Sequence, residues 1–110
     1  MKKLSPATCQ LILRIFSSQD QAEVAQALAN GCADNLTFLE NQDEYGLEPV
    51  RFAVLKLSRG NIAEFRWWAN MAKVDWHDLL AAAGFSNSLT AHQEWAKATY
   101  GITSTMPSGT

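Results

Sequence analysis

Apolar positions along this chain recur at three- and four-residue intervals, the period of a helix with one buried face, and strict alternation is nowhere sustained. Ser5-Pro6 predicts a helix start, because proline at the first helical position gives up an N–H that has no partner there anyway. That helix runs to about Phe16. Cys9, Ile12, Leu13 and Phe16 form its stripe, Leu11 and Ile15 widen it, and only Gln10 and Arg14 make a polar edge, so it is expected to be largely buried. Ser18 with Gln21 fits a capping box, opening an alanine-rich second helix from about Gln19 that stops at Asn30-Gly31. The spacing Cys32, Leu36, Leu39 permits a further helix over residues 32–41, which Asp34, Asn35 and Thr37 weaken. Residues 41–48 then read as an acidic loop.

The run 49–58 carries strand-favouring Val50, Phe52 and Val54, yet Val50, Ala53, Val54 and Leu57 keep helical spacing, and helix is the reading. Arg59-Gly60 ends it. Asn61 with Glu64 caps a helix that continues to about Lys73. Asp75 caps a short helix, Trp76–Ala83, stopped by Gly84, with Val74 and Leu79 placed as a hydrophobic staple across its start. Thr90 with Gln93 suggests a last capping pair, ahead of a helix bearing Ala91, Trp95 and Ala98 that ends at Gly101. Residues 102–110 read as a frayed tail. The pattern predicts one all-α domain over residues 1–101: five or six short helices in an irregular orthogonal bundle, centred on Trp68, Phe65, Leu57, Val54, Leu79 and Leu80.

The helix after Gly60 has two apolar sides. Ile62, Phe65, Trp68, Ala69 and Ala72 form one; Ala63, Trp67, Met71 and Val74 form the other, with Arg66, Asn70 and Lys73 between them. A helix sandwiched centrally among its neighbours would bury both. The alternative is an exposed aromatic patch with the composition of an interface hot spot.

Composition narrows the functional classes. Hydrophobic residues make up 47% and charged residues 18% of the 110, an ordinary globular balance. A formal net charge of −2, from eleven acidic and nine basic side chains, speaks against nucleic acid, which calls for a basic excess. No stretch approaches the roughly 18 apolar residues that span a bilayer. Lys2 and Lys3 resemble the start of a secretory leader, but Gln10 and Arg14 interrupt the apolar segment, so a cytoplasmic protein with no membrane association is expected, with Cys9 and Cys32 as reduced core thiols. Charge is segregated locally: Asp34, Glu40, Asp43, Glu44 and Glu48 precede Arg51, Lys56, Arg59, Arg66 and Lys73.

No phosphate loop, nucleophile elbow or zincin pair is present. His77 lies between Asp75 and Asp78, but capping and the positive helix N-terminus account for those two carboxylates. His92 has no partner visible in sequence, and two histidines with two distant cysteines match no zinc spacing. No catalytic residue, metal ligand or cofactor is therefore nominated.

Residues 48–85, through Lys56-Leu57-Ser58, Gly60, Asp75-Trp76, Asp78-Leu79-Leu80 and Gly84-Phe85, resemble short uncharacterised bacterial proteins that share a KLS-x-G and DW-x-DLL-x3-GF pattern. That resemblance implies a helical fold and a bacterial origin, and brings no activity; Trp67-Trp68 stands where more polar residues are expected.

The leading expectation is a protein-interaction module without catalytic activity, engaging an unknown protein partner or a second copy. Its candidate surface is Trp67, Met71, Arg66 and Asn70, together with Glu44 and Glu48 of the acidic loop. A small-molecule-binding or enzymatic domain with a Trp-lined pocket competes with it. Third stands a helix-turn-helix DNA-binding regulator, which would require Arg51, Arg59, Arg66 and Lys73 to share one face.

Overall fold

Six helices account for nearly all of the chain that the structure, a computed structural model, describes: residues 4–30, 47–86, 88 and 90–103. They are α1 (Pro6–Ile15), α2 (Ser18–Asn30), α3 (Glu48–Ser58), α4 (Ile62–Val74), α5 (Trp76–Ala83) and α6 (Ala91–Tyr100). No strand occurs among the described residues, and the fold is all-α as the spacing predicts. The expected helix at 32–41, the acidic loop up to Gly46, and tail residues 104–110 lie outside the described residues.

The central element is α3, not α4. It packs on α4, α5, α1 and α6, and Val50, Phe52, Ala53, Val54 and Leu55 are all buried. A helix enclosed on every side needs no polar face, which explains why residues 49–58 look strand-like in one register and helical in another. Phe65, Ala72 and Leu79 join this core. Trp68, Leu57 and Leu80, expected at its centre, are only half-buried against its edge.

Local signals place most helix ends. The Ser5 hydroxyl accepts the Thr8 N–H, the Asn61 carboxamide oxygen accepts the Glu64 N–H at 2.9 Å, and the Asp75 carboxylate accepts that of Asp78. Arg59 and Gly60 both take left-handed backbone between α3 and α4. At Gly60 a Cβ would stand 2.7 Å from the Ile15 carbonyl oxygen, so glycine lets this turn press against the end of α1. Lys56 donates to the Ala83 carbonyl at 2.6 Å, closing the C-terminus of α5, and its ammonium lies 5.0 Å from the centre of the Phe85 ring.

Several details differ from expectation. α2 starts at Ser18 itself, with the Ser17 carbonyl accepting from Asp20 and Gln21, and the Gln21 side chain donates to the Phe16 carbonyl instead of closing a capping box. Val74 is 73% exposed while Leu79 is fully buried, so no staple joins them. Thr90 makes no side-chain cap; its hydroxyl donates to Glu94. In α1 the buried face is Ala7, Thr8, Leu11 and Ile12, leaving Leu13 62% exposed and Cys9 on the surface, where both border a depression with Gln21, Ala22 and Ala25 of α2. Ile102, assigned to the tail, is buried and donates its N–H to the Ala96 carbonyl, the reach-back bond of a glycine-terminated helix.

Candidate functional site

α4 delivers the surface that the two-sided pattern leaves open. Phe65 and Ala72 point into the core, and Ile62, Trp68 and Ala69 flank them, as one apolar stripe predicts. Opposite, Ala63 is exposed, Trp67 is 55% exposed, Met71 is half-buried and Val74 is exposed. The sandwiched arrangement is thereby corrected: α3 occupies the centre, and the second stripe of α4 faces outward.

Trp67 and Trp68 meet edge to face, with ring centres 4.7 Å apart and planes at 88°. Such perpendicular packing places the positive edge of one ring on the negative face of the other. The pair borders an open depression of about 600 Å³ whose remaining lining is Asn61, Ala63 and Glu64. It is a shallow corner, with no buried polar group converging on the indoles.

Of the polar rim, Asn70 is exposed and Arg66 is committed within the fold. Its guanidinium donates to both carboxylate oxygens of Glu23 on α2, at 2.7 and 2.9 Å. The pairing holds the Glu23 carboxyl below its ordinary value, chiefly through the Arg66 hydrogen bonds, and raises Arg66 for the same reason.

Glu48 is the principal correction. Expected on an acidic surface, it opens α3 and is 1% exposed. Its carboxylate accepts the Ser5 hydroxyl at 2.5 Å through one oxygen and faces His92 Nε2 at 3.6 Å through the other. Ser5 has one hydroxyl proton, which goes to Glu48, so in the 2.8 Å Ser5–Thr8 contact Thr8 is the donor. His92, 4% exposed, is walled by Phe52 and Phe85. Arg51 lies one turn after Glu48 and is likewise buried. This node joins α1, α3 and α6 beneath the surface. Glu44 lies outside the described residues.

Sequence reasoning missed the node, although a signal existed. A helix apolar on all sides leaves Glu48 and Arg51, three residues apart, without a wet face, which requires buried partners for both. The partner at position 92 is too remote in sequence to be found by spacing.

Elsewhere, His77 is exposed and stacks on Trp76, with ring centres 3.8 Å apart. Burial of Arg51 keeps the four bases named for DNA contact from forming one solvent face. Among the described residues no cluster of three or more His, Cys, Asp or Glu could hold a metal, and no helix is long and apolar enough to cross a membrane. Comparison with known protein families, curated proteins and solved structures finds no match to this chain.

Proposed function

We propose that this protein is an interaction module that docks a protein partner, a second copy included, through the outward face of α4. One observation carries the reading: a tryptophan more than half exposed continues along the helix into Met71 and Val74, so the outer stripe stays apolar over its whole length. Large aromatic side chains with adaptable methionine neighbours supply most of the energy of protein interfaces, and exposing them without a partner costs hydration free energy. The titratable node at Glu48 and His92 is enclosed and is given no catalytic part.

The test is the concentration dependence of mass by analytical ultracentrifugation, on the wild type and on Trp67→Ala, with circular dichroism to establish that both are helical. Association by the wild type that is lost in a folded Trp67→Ala supports the reading. A wild type that stays monomeric, together with a variant as destabilised as a core deletion, makes Trp67 a packing residue and ends the proposal.

A further inference from the structure

We draw no further inference here: the strongest candidate, the apolar depression of about 240 Å³ that Cys9, Ile12 and Leu13 of α1 form with Gln21, Ala22 and Ala25 of α2, carries none, because nothing in the structure shows what covers it.

Discussion

The imidazole of His92 faces the carboxylate of Glu48 across 3.6 Å, and through that contact the last helix meets the first turn of the central one. Ser5 reaches the same carboxylate from α1. Removing Glu48 therefore strips two buried groups of their partner at once. Glu48→Ala is expected to lose about 3 kcal/mol or more of unfolding free energy, and Glu48→Gln, which keeps an acceptor for Ser5, distinctly less. Urea unfolding monitored by circular dichroism measures both; equal losses would mean that the Ser5 bond contributes nothing.

Gly60 and Gly101 both have positive φ, at 79° and 70°, yet their surroundings differ. At Gly101 nothing lies within 4 Å of an added Cβ, so alanine carries only the left-handed penalty, about 1 kcal/mol. At Gly60 the Cβ would also collide with the Ile15 carbonyl. Gly60→Ala is expected to cost about 1–2 kcal/mol beyond Gly101→Ala. Thermal melts of the two variants compare them directly, and similar shifts would show that the α1 end yields freely.

Phe65 and Trp67, two positions apart on α4, are expected to respond very unequally to truncation. Phe65→Ala empties a core site and should cost about 3–5 kcal/mol. Trp67→Ala removes a largely solvated ring and its edge contact with Trp68, for about 1 kcal/mol or less. Chemical denaturation that ranked Trp67→Ala alongside Phe65→Ala would contradict an outward-facing stripe.

The pair of Glu23 and Arg66 makes a pH prediction of known sign. A carboxyl depressed in the folded state contributes stability above its unfolded pKa, near the ordinary 4.5, and loses that contribution as pH falls through the folded value. Both side chains are exposed, so the effect is small and screened by salt. Carboxyl carbon NMR should find Glu23 titrating below 4.5 in the wild type and near it in Arg66→Ala. An unchanged Glu23 titration in the variant would dissolve the pairing.

The elements that were legible in the sequence are those decided locally. Asn61, Asp75 and Gly84 mark helix ends by what one side chain or one backbone angle does within four residues, and each stands where it was expected. Stripes on α4 were also legible, because facing is a property of helical period. Which helix lies at the centre was not: an enclosed helix and a two-sided one look alike in spacing, and α3 is distinguished only by its neighbours. The same limit misplaced Glu48 on a loop and left His92 without a partner. Their pairing is a property of how α6 docks.

The chain makes Glu48 long before it makes His92, and translation sets the interval. At about 5–20 residues per second, adding the forty-four residues from 49 to 92 takes roughly 2–9 s. Throughout that interval the nascent chain holds a carboxylate destined for the interior while its imidazole does not yet exist. The interior of this protein is thus closed only once α6 has been made, and a ribosome that stalls before residue 92 leaves a chain whose central helix cannot be fully enclosed.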